Sequence, residues 1–562
     1  MTSATAGATL AGAGTPLQLL PDALNGSFKL VPAIMVTGML LLFLGIGYAF
    51  RVADTEDLWV AGRSIGNVEN GMAIGANWMS AASYLGMAAL IALSGFYGLA
   101  FVVGWSTGYF ILLIFMAAQM RRFGKYTAPD FVGDRFNSDT ARAIAAVTTF
   151  LIGFVYAIGQ ARGMGLVGLY IFGDLGILGL TGYQSMVVLM MTITVGYLTL
   201  SGMLGATKNM AVQYVILIVA FLVAVYVVGI VNGYSTFLPQ IEYGALINDL
   251  NTEFSEPFVN ASFFLWIATA FSLFFGTCGL PHVLVRFYTV ENERTARHST
   301  VWGLFFIMLL YWGAPALAAF GVDLYDASQY GPTYAASGGM SGGEGDLIVV
   351  LAAQLSNLPT WFVGLVAAGG IAAAIATTAG LFITASSAVS HDIYTNIINP
   401  DATQREQVLV GRGTIVLLGI IVTITALDPP ALIGQLVALA FSLAAIVLFP
   451  MFFLGLWWEN TNRAGALAGM SFGLLLWIAA VVNDLILPFS QAFGDVVPAI
   501  GAALVGTPLV FAITIVVSLL TEEPPESTKR LVRQCHSPKP MSRTESAEDV
   551  AATDGGQTPA DD

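Results

Sequence analysis

Long apolar segments recur along nearly the whole chain, and this pattern restricts the fold more than any other feature. Each segment reaches the roughly 20 residues that a helix needs to cross the hydrocarbon core of a membrane. Only 10% of the residues are charged, whereas a soluble domain has about 25%. The sequence therefore predicts an all-α polytopic membrane protein with about 13 transmembrane helices, placed in the plasma membrane. The helices are expected near residues 28–50, 67–95, 98–120, 141–172, 180–203, 208–232, 258–282, 298–322, 360–389, 406–427, 430–456, 464–485 and 497–520.

Basic residues fall on one side of this predicted array. If the N-terminus lies outside, all of the 21 Lys and Arg residues except Lys29 and Arg162 fall in alternate loops or in the C-terminal tail. Cytoplasmic loops of membrane proteins carry such an excess of positive charge. The sequence therefore predicts that the N-terminus is outside and the C-terminus inside.

The chain divides into three regions by composition. Residues 1–27 are expected to form an exposed N-terminal arm, and residues 28–520 the membrane domain. Residues 521–562 contain too few apolar groups to offset the entropy of ordering, so a disordered cytoplasmic tail is expected there. A short amphipathic piece near 346–357 is expected on the membrane surface.

The side chains give no sign of catalysis. Cys278 lies in an apolar segment and Cys535 in the polar tail, so no disulfide is expected. The four histidines are scattered without the spacing of a metal site, and no nucleophile–base pair is evident. We therefore expect that the protein is not an enzyme, that it does not bind nucleic acid and that it has no obligatory protein partner.

The second predicted helix carries polar groups inside an apolar run, in the stretch "IGANWMSAASYLG" at residues 74–86. Gly75, with the polar Asn77 and Ser80, is expected to let this helix unwind near the middle of the membrane. Unwound backbone is tolerated there only where it faces protein or a water-filled cavity, because lipid forms no hydrogen bonds with it.

The seventh predicted helix is interrupted in the same way, by Gly276, Gly279 and Pro281 in "SLFFGTCGLPHVLVRF". Proline lacks a backbone donor and clashes with the preceding turn. The two interrupted helices are five helices apart, which predicts inverted repeats near 67–232 and 258–456. Interrupted helices at matching positions of such repeats mark the substrate site of transporters.

Two adjacent hydroxyls, Thr377 and Thr378, lie among small residues in the ninth predicted helix. Na⁺ takes oxygen ligands from hydroxyls and from carbonyls that an unwound helix leaves free. The alternative is that each hydroxyl bonds the carbonyl one turn back in its own helix. Beside an interrupted helix, the pair favours a cation site.

Four stretches resemble the sodium/solute symporter family, and most of all its cation/acetate symporter branch. They are "NGMAIGANWMSAASYLG", "RRFGKYTAPDFVGDRF", "GLPHVLVRFYTV" and "TTAGLFITASSAVSHDIY", in the family's order. The resemblance spans roughly residues 30–520. It implies a LeuT-type 5+5 inverted repeat core and uptake of a short monocarboxylate together with Na⁺.

The resemblance also assigns site residues by position. The implied sodium ligands are the carbonyls of Ala76, Met79 and Ala374 and the hydroxyls of Thr377 and Thr378. The alignment at the break can slip by one residue, which would bring in Asn77 or Trp78 instead. The implied substrate-binding residues are Asn77, Trp78, Ser80, Gln160, Arg162 and Thr277.

The chain departs from the branch at two of these positions. Asn77 stands where an aspartate is expected, and an amide does not titrate, which favours Na⁺ over H⁺ as the coupling ion. Arg162 stands where the branch has an apolar residue. A buried arginine is a candidate partner for a substrate carboxylate; the alternative is that Arg162 extends to the outer surface. His282 and Arg286 are expected to anchor the inner end of their helix.

The sequence therefore predicts a secondary active symporter that uses Na⁺ entry to take up a small organic anion, acetate-like in size, across the lipid bilayer. One alternative is a symporter of the same family that uses protons or carries another solute. The other is a transporter-like membrane sensor, although no signalling domain follows residue 520.

Overall fold

The computed structural model describes residues 28–52, 54–234, 237–250, 252–259, 261–327, 342–485 and 498–537. Regular structure in these ranges is helical, apart from an isolated bridge between Ile65 and Val290. The predicted N-terminal arm lies outside them. The α-helices are Leu30–Ala49, Thr55–Val60, Asn67–Trp78, Met87–Ser94, Leu99–Ile111, Ala117–Phe123, Ala128–Arg135, Asp139–Phe172, Gly182–Val231, Pro239–Leu246, Thr252–Ser255, Phe263–Gly279, Pro281–Leu284, Glu293–Ala327, Gly342–Asp346, Ile348–Leu355, Thr360–Ser387, Gln404–Ala426, Ile433–Leu443, Phe449–Trp457, Arg463–Leu485, Ala503–Leu520 and Glu526–His536. Several are joined by π-helical stretches at Ala82–Gly86, Leu112–Met116, Ala388–Ile398 and Ala444–Leu448.

Ten helical segments of the described residues are long and apolar enough to cross a membrane, or eleven if the bent pair around Leu280 counts as one span. Two of the ten are interrupted by a glycine with positive φ. Gly95 (φ 53°) lies in Ala82–Phe123, and Gly202 (φ 53°) lies in Gly182–Val231. Glycine adopts this conformation without steric cost. Both breaks fall where the sequence predicts one helix to end and another to begin; the total of thirteen spans and the orientation stay predictions.

The helix Thr360–Ser387, called the threonine helix below, lies at the centre of the molecule. Its most apolar stretch is entirely buried, whereas more than half of the corresponding stretch of Leu30–Ala49 faces outward. It packs most closely against Asp139–Phe172 and Gly182–Val231. Its many Ala, Gly and Thr residues allow this, because small side chains let neighbouring helices approach.

Residues 342–355, called the outer segment below after the side that the charge pattern predicts for them, are buried rather than spread on the membrane surface. The segment consists of Gly342–Asp346 and Ile348–Leu355. Its residues Leu347 to Ala353 are enclosed by protein. The apolar face that suggested a surface helix instead packs into the bundle, against Met87–Ser94, Glu293–Ala327 and the threonine helix.

The start of the polar tail also differs from the expectation of disorder. Glu526–His536 forms a helix, called the C-terminal helix below, on which Thr528, Val532 and Cys535 are buried. These residues recur every three or four positions, so they share one helix face. Docking of that face provides the apolar burial that the isolated tail lacks. Residues 538–562 lie outside the described part of the chain.

Candidate functional site

The first interrupted helix ends at Trp78 and not at the glycine that the sequence suggested. Gly75 is helical, whereas Met79 (φ −74°, ψ 68°) leaves the helical path. The N–H of Ser80 bonds the Trp78 carbonyl (2.8 Å) instead of the Ala76 carbonyl four residues back. We call Met79 and Ser80 the first break.

The threonine helix contacts the backbone at the first break. Thr377 Oγ1 donates a hydrogen bond to the Asn77 carbonyl (2.8 Å). Thr378 Oγ1 donates to the Ala374 carbonyl (2.8 Å), one turn back in the same helix. The predicted sodium ligands all lie on the two elements that the Thr377 bond joins, and all are fully buried: Ala76, Met79, Ala374, Thr377 and Thr378.

Gln160 holds the first break from the opposite side. Its Oε1 accepts a hydrogen bond from the N–H of Ala81 (2.8 Å). In a continuous helix that N–H bonds the Asn77 carbonyl. Gln160, on helix Asp139–Phe172, thus leaves the Asn77 carbonyl for Thr377.

The second break lies at Leu280, where Phe263–Gly279 and Pro281–Phe287 meet at 47°. Gly279 permits a close approach of the neighbouring helix, because a Cβ there would lie 2.3 Å from the Ala444 carbonyl oxygen. The interruption that the sequence predicts from Gly279 and Pro281 is therefore present.

Asn77 connects the two breaks. Its Nδ2 donates to the His282 carbonyl (3.1 Å), just beyond the second break. Its side chain also lies directly against Gly380 of the threonine helix. The uncharged side chain of Asn77 therefore connects its own helix with the second break and with the threonine helix.

Aromatic rings pack together beside the breaks. The Trp78 ring packs edge-on against Tyr109 (4.7 Å between centroids) and Phe441 (5.4 Å). Tyr156 packs against His282 (5.4 Å) and Phe441 (5.9 Å). The breaks thus border a cluster of packed aromatic side chains, called the aromatic cluster below.

Buried polar nitrogens in this region have no hydrogen-bond partner among the described residues. They include Nε1 of Trp78, Nε2 of Gln160, both ring nitrogens of His282 and Nε of Arg286. Arg286 is fully buried, and its Nη1 donates to Thr207 Oγ1 (3.0 Å). It forms no ion pair with an acidic side chain of the described ranges. A buried cation without a counter-ion is unfavourable, so the arrangement suits an anionic ligand.

The hydroxyls of two predicted substrate residues form hydrogen bonds with backbone groups that are close in the sequence. Thr277 Oγ1 donates to the Leu273 carbonyl (2.7 Å), and its side chain packs where a Cβ on Gly108 would lie. Ser80 Oγ accepts from the N–H of Ala82 (3.1 Å), at the start of the following helix. Thr277 therefore serves helix packing, and Ser80 shapes the break.

Arg162 has an acidic partner that the sequence analysis did not foresee. Its Nε donates to Asp346 Oδ2 (2.7 Å), and its Nη1 to the Ala431 carbonyl (3.2 Å). The side chain is 1% exposed, so it does not extend to the outer surface. Its charge is already matched by Asp346, which weakens the case for Arg162 as the solute's carboxylate partner.

A second polar cluster lies just beyond the C-terminal end of the threonine helix. Asp130 contacts His391 (3.0 Å) and Arg142 (2.6 Å), and Asp392 accepts from Thr127 Oγ1 (2.7 Å). Burial acts to raise the pKa of Asp130, but His391 and Arg142 outweigh it and lower that pKa below its ordinary value. Asp130, His391 and Asp392 are close enough to share a metal ion. Arg142 already supplies positive charge there, so the cluster is better explained as an internal salt-bridge network.

The model of the sodium:solute symporter family matches residues 58–473, which is most of the chain and includes both breaks and both threonines. The chain belongs to the sodium:solute symporter family. The symporter is therefore a multi-pass membrane transporter and not an enzyme, as the sequence predicts. The assignment to the acetate branch stays a prediction.

Similar proteins agree with this assignment. An uncharacterized symporter of Cupriavidus necator is 30% identical, over 87% of this chain and 91% of its own. The uncharacterized symporter YwcA of Bacillus subtilis is 32% identical, over 86% of this chain and 90% of its own. The solved structure of a Na⁺-coupled sialic acid symporter in a substrate-bound, outward-open state matches with a TM-score of 0.69 at 16% identity. That match covers 89% of this chain and 100% of the other, and it confirms the all-helical transporter fold.

Sequence reasoning missed two features. One is the set of His282 and Arg286 nitrogens that lack a hydrogen-bond partner among the described residues. The other is Asp346, the ion-pair partner of Arg162. The motif "GLPHVLVRF" contained a usable signal, since ionisable residues within a membrane span are functional by default. No comparable signal existed for Asp346, because only the folded chain brings it beside Arg162.

Proposed function

We propose that the symporter couples Na⁺ entry to the uptake of a small monocarboxylate such as acetate. The observation that carries the proposal is the contact at the first break, where Thr377 Oγ1 meets the freed carbonyl of Asn77. Hydroxyl and carbonyl oxygens without a carboxylate are ligands that a transported Na⁺ accepts from an unwound helix. The neutral amide of Asn77 offers no site for a proton.

In this proposal Na⁺ binds between the first break and the threonine helix. The proposed ligands are the carbonyls of Ala76, Met79 and Ala374 and the hydroxyls of Thr377 and Thr378. Gln160 and Asn77 fix the same turn to helix Asp139–Phe172 and to the second break. Na⁺ binding would therefore also order the donors beside the aromatic cluster. The resulting increase in solute affinity must be matched by an equal effect of solute on Na⁺ affinity.

The proposed solute site lies beside the first break, at the aromatic cluster. Arg286 supplies the positive charge, and His282, Trp78 and Gln160 supply further donors. Hydrogen bonds between a guanidinium and a carboxylate are among the stronger ones in proteins. The enclosing rings favour a small apolar remainder, although one methylene changes affinity by only ~1–3 kcal/mol.

Uptake by proteoliposomes tests this proposal. Labelled acetate is offered first under an inward Na⁺ gradient at equal pH, and then under an inward proton gradient without Na⁺. We expect accumulation only with Na⁺. Accumulation with protons and none with Na⁺ would overturn the choice of ion. Accumulation of another solute but not of acetate would overturn the choice of solute. Binding of acetate without flux in either condition would indicate the sensor alternative.

A further inference from the structure

Arg162 and Asp346 form a buried ion pair in the part of the molecule that the charge pattern places toward the outside. Their side chains are 1% and 0% exposed, and the two charged groups approach to 2.7 Å. The arginine also donates to the carbonyl of Ala431, just before helix Ile433–Leu443. The pair therefore ties the outer segment to two membrane helices that are distant in sequence.

The outer segment fits tightly beside the second half of the first interrupted helix. A Cβ on Gly345 would lie 2.6 Å from the Leu93 side chain. Glu344, next to it, accepts a hydrogen bond from the Tyr325 hydroxyl (2.5 Å). The segment also contacts the π-helical stretch Ala82–Gly86, which directly follows the first break. The segment therefore packs against the helical stretch that follows the first break, on the side that the charge pattern predicts to be the outer one.

The ion pair is incompletely satisfied. Arg162 Nη2 and Asp346 Oδ1 are both buried without a hydrogen-bond partner in the described part of the chain. A buried pair stabilises a fold only when its remaining donors and acceptors are also bonded. When the pair opens, water can form hydrogen bonds with both atoms.

Helix Asp139–Phe172 links the ion pair to the first break. Gln160 bonds the backbone N–H of Ala81, and Arg162 bonds Asp346 only two residues further along. Gly163 lies against the Ala81 side chain, since a Cβ there would be 2.8 Å from it. The first break and the outer segment are therefore fixed to the same turn of one helix.

We propose that Arg162 and Asp346 are the latch that keeps the outer segment closed over the solute route, and that the latch opens when the outer side becomes accessible. Arg162 and Asp346 are then positioning residues that act through the segment and not through contact with Na⁺ or solute. The proposal requires that the protein is a symporter with the orientation that the charge pattern predicts, and it is independent of the identity of the ion and of the solute.

The test measures how quickly a cysteine in the outer segment reacts with a membrane-impermeant thiol reagent. Ala352→Cys introduces a small change at a position that is 0% exposed. The double variant Arg162→Met with Asp346→Leu removes both charges together and leaves no unpaired charge. We compare the Ala352→Cys protein with and without this double substitution. We expect the cysteine to react with the external reagent about tenfold faster when the double substitution is present, because the open population increases.

The controls separate a latch from a general loss of stability. The Lys208–Glu69 pair (2.7 Å) lies on the opposite, predicted inner side, and Lys208→Met with Glu69→Leu is expected to leave the reaction rate unchanged. The native Cys278 and Cys535 are buried, and the protein without Ala352→Cys gives their background rate.

A second variant keeps the test decisive if the double variant does not fold. Arg162→Lys retains the charge but loses the guanidinium fork that reaches both Asp346 and Ala431, so we expect a smaller increase in the same direction. An Ala352→Cys rate that is unchanged in every folded Arg162 variant would overturn the proposal. An equal increase in the Lys208 and Glu69 control would overturn it as well.

Discussion

At the scale of single residues, the two neighbouring threonines make different contacts. Thr377 bonds across to the first break, whereas Thr378 bonds within its own helix. The sequence proposed both as ligands and also offered helix bonding as the alternative. That alternative describes the hydroxyl geometry of Thr378, and it is wrong for Thr377, whose partner is 300 positions away in the chain.

We predict that Thr377→Ala raises the Na⁺ concentration for half-maximal uptake about tenfold, equivalent to ~1.4 kcal/mol of binding free energy. The variant removes a proposed ligand and the bond that holds the break. Thr378→Ala is expected to act in the same direction. The measurement is the Na⁺ dependence of acetate uptake.

Thr384→Ala is the matched control, because Thr384 lies on the same helix and bonds only the Gly380 carbonyl (2.7 Å). It is expected to leave the Na⁺ dependence unchanged. Equal effects of Thr377→Ala and Thr384→Ala would remove Thr377 from the proposed sodium site.

For the solute, we predict that Arg286→Met raises the KM for acetate by roughly 10–100-fold at saturating Na⁺, since a hydrogen bond to a charged group contributes ~1.5–3 kcal/mol. Arg286→Lys retains the charge and is expected to have a smaller effect. Stabilisation of the variants by Na⁺ against heat unfolding checks that they remain folded. An unchanged KM in a folded Arg286→Met protein would exclude the arginine from the solute site.

At the scale of helices, the sequence predicted the elements well because their causes are local. Apolar runs set the membrane helices, and Gly279 with Pro281 set the second break. The position of the first break depends on residues that are distant in sequence. Gln160 accepts a hydrogen bond from the Ala81 N–H, and Thr377 donates one to the Asn77 carbonyl. Sequence reasoning placed that break near the polar residues but could not identify the turn.

The C-terminal helix was not predicted from the sequence, because its stability also depends on distant parts of the chain. Its buried face is short, and it becomes stable only on a surface that the rest of the fold provides. Arg122 Nη1 donates to the Cys535 carbonyl (3.0 Å), and His536 contacts the Leu456 carbonyl (2.8 Å). Burial raises the pKa of the Cys535 thiol to about 12. The helix therefore packs against helices Ala117–Phe123 and Phe449–Trp457.

We predict that Val532→Asp releases the C-terminal helix, because a charge at this buried position would lack a partner. Trypsin is then expected to cleave at Arg530 and Arg533 about tenfold faster, as local opening becomes more frequent. Ser527→Asp adds the same charge at an exposed position of the same helix and is expected to leave cleavage unchanged. Equal cleavage rates for both variants would show that burial of Val532 does not hold the helix in place.

At the scale of the whole molecule, the account joins three contacts into one cycle. In the proposed cycle, Na⁺ at the first break would order the donors beside the aromatic cluster, solute would bind there, and the outer latch would close over both. An excess of Na⁺ over negative solute charge would add about 2.3 kcal/mol of driving force per 100 mV for each net charge. The family membership shows a symporter, and the coupling of these two cargoes is the central claim.

The most direct test of that claim uses solute to drive Na⁺. Proteoliposomes receive equal Na⁺ on both sides, a clamped membrane voltage and an inward acetate gradient, and accumulation of radioactive Na⁺ is measured. The account predicts that Na⁺ accumulates against its own gradient, that Thr377→Ala weakens this accumulation and that Thr384→Ala does not. Entry of acetate without any accumulation of Na⁺ would contradict it.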